Sequence, residues 1–405
     1  MKLRTLGSVR IRRLTAGTPG PEPGDAPLTR RAYPSAPPPP AALDGVRAEG
    51  ENHRVRCSIV PPYLLARIAE EAPSRELPAA ARAARRALAE TGPVHRARDG
   101  RRAAFVAGDF GEPDRSPRRT ISDAESTETL PGDVVRREGA PASVDAAVDE
   151  AYDGLGATFA FYDGVLDRNS IDDRGLPLDA TVHYGDEYDN AFWDGSRMGF
   201  GDGDGEVFRR FTVAVSVIGH ELTHGVTQFT ADLTYSGQSG ALNESVSDVF
   251  GALVEQYQLG QTADEASWLI GAGLFTERVE GVALRSMRAP GTAYDDDLLG
   301  KDPQPAHFDE FVHTRDDDGG VHINSGIPNR AFTLAAIALG GHAWEGAGRV
   351  WYETLRRGGL PRDCDFATFA GATARVAAAR FGSSSLQREA VVDAWRTVGI
   401  EPVSP

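Results

Sequence analysis

The rhythm of apolar and polar positions changes several times along the 405 residues, and each change marks an element. Residues 15–50, including "PSAPPPPAAL", carry no periodic apolar positions and have the Pro/Gly/Ala composition of a disordered leader. An island follows, "CSIVPPYLLARIAEEA", in which Pro61 and Pro62 start a short amphipathic helix from Tyr63 onward. An Arg/Ala helix over 75–90 and an Arg-rich connector to about 120 come next. The dibasic sites Arg101-Arg102 and Arg118-Arg119 are expected to be open to proteolysis. From about 121 the texture is that of a folded domain. Residues 143–166 repeat apolar positions at helical spacing, with Ser143 at the N-cap. Residues 178–205 alternate short apolar runs with Gly and Asp, which predicts strands and turns. Beyond 206 the pattern is mostly helical, with Gly/Pro-marked loops at 286–306 and 314–321. There is no internal repeat, and no run of about 18 apolar residues that would span a membrane.

The fold class predicted is α+β, a two-lobed chain with a strand-bearing half and a helical half joined by one helix. The expected divisions are a leader over 1–50, a prosegment over 51–95, a processing linker over 96–120, a strand-rich lobe over 121–226 and a helical lobe over 227–405.

Charge changes this picture in one respect. The net charge is −16, which argues against nucleic acid as the main partner. Residues 1–120 nevertheless carry 22 Lys/Arg against 13 Asp/Glu, a net of +9, and the remainder nets −25. A basic front on an acidic body suits an acid-seeking tail, and equally a segment that lies against the rest and is later cut off. The only cysteines are Cys57 and Cys364, too few for a disulfide framework, so the fold stands on its core. The N-terminus is basic without the apolar stretch of a signal peptide, so no secretory route is visible in it.

The joining helix carries "VIGHELTHGVTQFT", residues 217–230. Four-residue spacing puts His220 and His224 on one face, about one turn apart, where two imidazoles can chelate one zinc ion. Glu221 projects beside them, placed to polarise water. The five residues alone fit a surface pair of histidines equally well. A zinc site needs a third protein ligand, and Glu244 in "GALNESVSDVFG" opens a second helical pattern that can pack against the first. Asp248, four residues on, is placed to hold a histidine's other nitrogen.

The run "HELTHGVTQFTADLTYSGQSGALNESVSDVFG" (220–251) resembles the thermolysin-like zinc metalloproteases. The likeness continues in "YDNAFWDGSRMGFGDGDG" (188–205), "LRSM" (284–287) and "DDGGVHINSGIPNRAF" (317–332). "CSIVPPYLLARI" (57–68) resembles the short prosegment of the protealysin-type branch. The resemblance implies zinc on His220, His224 and Glu244, with Glu221 the general base for the zinc-bound water. It implies Tyr235 and His322 as oxyanion donors, Asp317 orienting His322, and Asp248 orienting His220. It implies Asn190 and Ala191 holding the substrate backbone in β-fashion and Arg285 holding its carbonyl. Phe208, Phe211, Val217, Ile270, Leu274 and Leu284 fall where the family lines the pocket for the residue after the scissile bond. That lining implies a preference for Leu, Phe or Ile there.

The chain departs from thermolysin proper at the double calcium site. Glu255 is retained, but the other matching positions are Ser216, Leu269 and Ala272, so this site is expected to be absent. "GDGDG" (201–205) is read as a structural turn. The expected enzyme is a zinc metalloendopeptidase made as a zymogen, monomeric, acting on peptides and proteins and inhibited by its own prosegment. Its expected cofactor is one catalytic zinc, and neither membrane nor nucleic acid is a partner. Cys57 is read as a small buried prosegment residue, with a thiolate on zinc the alternative. The competing function is a catalytically silent relative that binds peptides. An aminopeptidase is disfavoured because no acidic amine anchor is evident. Relatives act on extracellular proteins, and the export route is left open.

Overall fold

A five-stranded sheet, β2-β1-β3-β5-β4, forms the strand-bearing half of the computed structural model. The structure describes residues 58–89 and 115–403, and both stretches lie in one compact unit, His53–Pro405. The leader, Cys57, Arg101-Arg102 and most of the linker lie outside the described residues. Strands β1 (Arg119–Asp123), β3 (Leu178–Val182) and β5 (Met198–Phe200) run parallel. Strands β2 (Asp133–Arg137) and β4 (Ala191–Trp193) close the two edges in antiparallel fashion. The predicted strand-and-turn region thus supplies β3, β4 and β5. Of the pair Arg118-Arg119, expected from the sequence to be open, Arg118 is exposed but Arg119 is held in place. Arg119 begins β1, its guanidinium bonds both Glu138 oxygens at 2.6 and 2.7 Å, and it lies over the Tyr152 ring.

The N-terminal segment packs on both halves. Pro61 is extended (φ −64°, ψ 145°) and Pro62 opens α1 (Pro62–Glu71), because the prolyl ring suits the first helical turn and restricts the residue before it. Leu64, Leu65 and Ile68 form the buried stripe of α1. After a short 3₁₀ turn, Ala72–Arg75, helix α2 begins at 78, later than the 75 expected, and continues to 89, the last described residue of this stretch. Arg82 and Arg86 reach Glu187 and Asp186 at 3.1 and 3.2 Å, and the Ala80 amide donates to Glu206 at 3.0 Å. The basic segment therefore rests on acidic positions of the body.

Helix α3 (Ala146–Leu166) crosses behind the sheet. Its N-cap is Asp145, not Ser143: the Asp145 carboxylate accepts the Ala147 amide, and Ser143 instead holds the Asp145 amide. The other Asp145 oxygen receives His183 Nε2 at 2.8 Å, while His183 Nδ1 meets Asp202 at 2.8 Å. His183 thus ties the end of β3 to both the α3 cap and the turn after β5. Hydrogen bonding to Asp202 raises its pKa to about 9, with burial opposing and Asp145 assisting. The sign follows from linkage. The folded value lies above the unfolded value of about 6.5, so this stabilisation is complete below pH 6.5 and is lost as pH rises through about 9. Denaturant melts are expected to lose about 1–2 kcal/mol across that window, discounted for partial exposure. His183→Asn should flatten the alkaline slope; an unchanged slope would assign it to another group.

Helix α4 (Val215–Gln228) joins the halves and is buried from Ser216 to Gln228. Helix α5 (Gly237–Leu259) packs along it. Two glycines permit the close crossing: a Cβ on Gly219 would sit 3.0 Å from Gly251 Cα, and one on Gly251 would run into the Ser216 carbonyl. Glu244 does not open this helix, as its sequence position suggested. It lies two turns in, because Ser236 and Gly237 start the helix earlier. The remaining half holds α6 (Asp317–Asn324), α7 (Gly326–Leu339), α8 (Ala347–Arg357), α9 (Phe366–Phe381) and α10 (Leu386–Thr397). Two small hairpins also occur there, β6 (Leu269–Ile270) with β7 (Arg285–Ser286), and β8 (Asp295–Asp296) with β9 (Gly300–Lys301). Two-residue strands leave no alternation to read in a sequence. No helix among the described residues is long and apolar enough to cross a membrane.

Candidate metal centre and cleft

Burying two histidines and three acids in the α4–α5 crossing requires a partner for each polar atom. His220 and His224 direct their Nε2 atoms at one another, 3.0 Å apart. Their Nδ1 atoms are already engaged. His220 Nδ1 meets Asp248 at 2.8 Å, and His224 Nδ1 meets Asn243 and Ser247 at 2.9 and 3.0 Å. Glu244 lies 3.5 and 3.4 Å from the two Nε2 atoms, and its buried Oε2 accepts no hydrogen bond. Two convergent imidazoles with fixed second nitrogens, plus a carboxylate oxygen lacking a donor, form the donor set of a tetrahedral zinc site with one open position. Among the described residues this is the cluster able to hold a metal ion.

Asp248 ties this centre to Arg285. Its Oδ1 accepts His220 Nδ1 and Arg285 Nη2, both at 2.8 Å; its Oδ2 accepts Arg285 Nε at 2.9 Å and Asn329 Nδ2 at 2.8 Å. Burial alone would raise the Asp248 carboxyl, but Arg285 and His220 hold it well below the usual carboxylate range. Tyr235 donates to Glu244 and lies 3.3 Å from His322 Nε2. His322 Nδ1 meets Asp317 at 2.6 Å. Burial would depress His322, yet the charges of Asp317 and then Glu244 raise it to about 9. The left-handed residues Asp318, Gly319 and Gly320 turn the chain so that Asp317 also accepts the His322 amide at 2.9 Å. Glu221 accepts the Trp193 amide at 3.1 Å, which places its carboxylate beside the edge strand β4.

The cleft between β4 and this centre contains the chain itself. Ser58, Ile59 and Val60 are at most 4% exposed. The Ser58 carbonyl accepts from His322 Nε2 at 3.2 Å. The Ile59 amide donates to Ala191 O at 3.3 Å, and the Ile59 carbonyl accepts from Arg285 Nη1 at 3.0 Å. Asn190 brackets Val60, its Oδ1 accepting the amide at 3.0 Å and its Nδ2 donating to the carbonyl at 3.3 Å. The structure thus brings His220, Glu221, His224, Tyr235, Glu244, Asp248, Arg285, Asp317 and His322 together with Asn190 and Ala191 around the seated segment.

The six apolar positions, Phe208, Phe211, Val217, Ile270, Leu274 and Leu284, are buried, as is Ile59. Phe208 and Phe211 have ring centroids 5.6 Å apart. Ile270 pairs with Arg285 across β6 and β7, and Val217 lies one turn before Glu221. The side chains of Leu274 and Leu284 both approach Gly271. The "GDGDG" stretch is a turn: Asp204 Oδ1 accepts the Glu206 and Val207 amides at 2.5 Å each. Asp204's own amide donates to buried Asp189 at 2.9 Å, next to Asn190. Burial raises the Glu255 carboxyl, opposed by the Ser216 hydroxyl.

Sequence reasoning missed Asn243, Ser247 and Asn329. Each is a polar residue facing inward from an apolar helix, which is the signal that could have found them. It also missed Trp193, whose backbone amide carries no side-chain signature.

The model described as "Thermolysin metallopeptidase, catalytic domain" matches residues 112–228, and the one for the alpha-helical domain matches 231–400. The chain belongs to the thermolysin metallopeptidase family. It is by class a zinc metalloendopeptidase, and the two matched domains correspond to its strand-rich and helical halves. The "Extracellular metalloprotease" of Pectobacterium carotovorum subsp. carotovorum is 52% identical over 348 residues, covering 85% of this chain and 96% of that protein. "Protease PrtS" of Photorhabdus sp. (strain Az29) is 54% identical over 285 residues, 70% and 76% of the two chains. The solved precursor of protealysin, a metalloproteinase from Serratia proteamaculans, superposes with a TM-score of 0.76 at 52% identity. That superposition covers 85% of this chain and 99% of the other, so within the family the chain is of the protealysin type.

Proposed function

We propose that the chain is the zymogen of a zinc endopeptidase that cleaves peptide bonds on the N-terminal side of large hydrophobic residues. The carrying observation is the hydrogen-bonded seating of Ser58–Val60 across Ala191, Asn190, Arg285 and His322. Residues 51–95 act in this reading as the inhibitory prosegment and 96–120 as the linker cut in maturation. The neighbour described as a precursor supports it. Residues 115–403 are only about 71% of this chain (289 of 405), so a match over 85% extends into the N-terminal segment.

His220, His224 and Glu244 would hold zinc, which when bound supplies Lewis-acid polarisation and a nucleophile at neutral pH. The chain's own residues do the rest. Asp248, Asn243 and Ser247 fix the two imidazoles. Glu221, held by the Trp193 amide, takes a proton from the attacking water and passes it to the leaving nitrogen, the position whose amide in the seated segment donates to Ala191 O. His322, kept protonated by Asp317, and Tyr235 donate to the carbonyl oxygen as it gains negative charge. Asn190, Ala191 and Arg285 align the backbone in β-fashion. The buried apolar set Phe208, Phe211, Val217, Ile270, Leu274 and Leu284 would accept Leu, Phe or Ile. We further infer that the double calcium site is missing, because Ser216, Leu269 and Ala272 offer no carboxylate beside Glu255.

The test is a panel of peptides differing only after the scissile bond, assayed while mass spectrometry follows the 43.3 kDa chain. Activity should rise as the N-terminal segment is lost. Leu, Phe or Ile should exceed Asp by more than about 100-fold in kcat/KM, since the pocket would have to bury a charge. An unprocessed, fully active chain would sink the zymogen reading, and equal rates across the panel would sink the specificity.

A further inference from the structure

The segment in the cleft has a direction, and the direction matters. A plug can run against substrate polarity, or place no peptide bond at the reacting position. Here the chain runs forward. The Ser58 carbonyl oxygen is held by His322 Nε2, which lies 3.5 Å from the candidate ligand Glu244. The next amide, that of Ile59, donates to Ala191 O at the start of β4. Two residues along the same strand, the Trp193 amide holds Glu221. The general base and the Ile59 nitrogen are therefore presented by one three-residue strand. Beyond that nitrogen, Arg285 takes the Ile59 carbonyl and Asn190 takes both backbone groups of Val60. The bond between Ser58 and Ile59 has its carbonyl at the metal centre, its nitrogen by the base and a large apolar side chain directly after it.

We propose that Ser58–Ile59 is a self-processing site, hydrolysed in cis by the active site that this segment covers. The proposal rests on the endopeptidase reading above. Water adds through its oxygen to the Ser58 carbonyl carbon, and its proton passes by way of Glu221 to the Ile59 nitrogen. The C–N bond breaks, leaving Ser58 as a carboxylate and Ile59 as a new amino terminus. No other reactant is consumed.

The cut does not by itself free the cleft. Residues 59–89 remain tied by Val60 to Asn190, by Arg67 to Leu298 O at 3.0 Å, and by the Arg82 and Arg86 ion pairs. The fragment that begins at Ile59 thus stays in place as a bound product. Self-processing here precedes activation and is separable from it.

The full chain, as wild type and as Glu221→Gln, is purified and incubated with zinc over a 100-fold range of protein concentration. Intact mass and N-terminal peptides are read over time, alongside hydrolysis of an added peptide. A terminus at Ile59 is expected in the wild type, formed at a rate independent of concentration and before peptide hydrolysis appears. It should be absent in Glu221→Gln, and Ile59→Asp should slow it more than tenfold. A wild-type preparation that gains peptidase activity with termini elsewhere and none at Ile59 overturns the proposal and leaves the endopeptidase reading standing. The same terminus in Glu221→Gln, or a rate that scales with concentration, also overturns it. A preparation with neither activity overturns both.

Discussion

Replacing Glu221 by glutamine is expected to lower kcat/KM on a peptide with an internal Leu or Phe by about 10³-fold. Zinc content per chain should stay at the wild-type value. The separation of the two readouts follows from placement. Glu221 is buried and accepts the Trp193 amide, but it is not among the three groups whose ligand atoms converge. Glutamine keeps the size and one acceptor oxygen, so the hydrogen bond to β4 survives while the proton acceptor is lost. The effect should fall on kcat, because Asn190, Ala191 and Arg285, not Glu221, hold the backbone that fills the cleft. Equal rates for the two chains would sink the assigned mechanism. A large fall in zinc content would instead make Glu221 a ligand, contrary to the geometry.

The sequence was most legible where chemistry and periodicity coincide. His220 and His224 share a helix face by spacing alone, and Asp248 follows Glu244 by one turn, so the α4–α5 centre could be assembled before any coordinates. What spacing could not show was the crossing itself. Gly219 and Gly251 set that distance, and neither looks different from a loop glycine in the sequence. The α3 cap moved from Ser143 to Asp145 because His183, distant in sequence, draws the Asp145 carboxylate into a bridge as well as a cap. Arg118-Arg119 looked exposed because dibasic pairs usually are, and Arg118 is; but Glu138, just after β2, and Tyr152 on α3 form a site for Arg119 that only the packing of β1 against both creates. Asn329 escaped notice for the same reason. Its amide matters only through Asp248, 81 residues earlier in the chain. Ile59 was legible as part of a prosegment-like island; its register in the cleft was not, since hydrogen bonds to β4 and Arg285 leave no trace in composition.

The second large effect belongs to Asp248. It is fully buried and accepts four hydrogen bonds, from His220, Asn329 and twice from Arg285. Asp248→Ala would strand the Arg285 guanidinium, 1% exposed, without its counter-charge. Breaking a buried pair from one side typically costs about 3–5 kcal/mol, because the remaining charge must be desolvated alone. The same substitution frees His220 Nδ1, so zinc affinity should fall by about 10–100-fold. Asp248→Asn should be little better. Its oxygen can still accept His220 and Arg285 Nη2, but its amide nitrogen then faces two donors, Arg285 Nε and Asn329 Nδ2. Asn329→Ala removes one acceptor contact of four and should cost only about 1 kcal/mol. Denaturant unfolding and chelator competition on the four chains would rank them. If the charge pair sets the cost, Asp248→Ala combined with Arg285→Met should be less destabilised than the sum of the singles by about 1–3 kcal/mol. Strict additivity, or an Asp248→Ala chain within about 0.5 kcal/mol of wild type, would mean that solvent reaches Arg285 and that Asp248 does not join the metal centre to the substrate clamp.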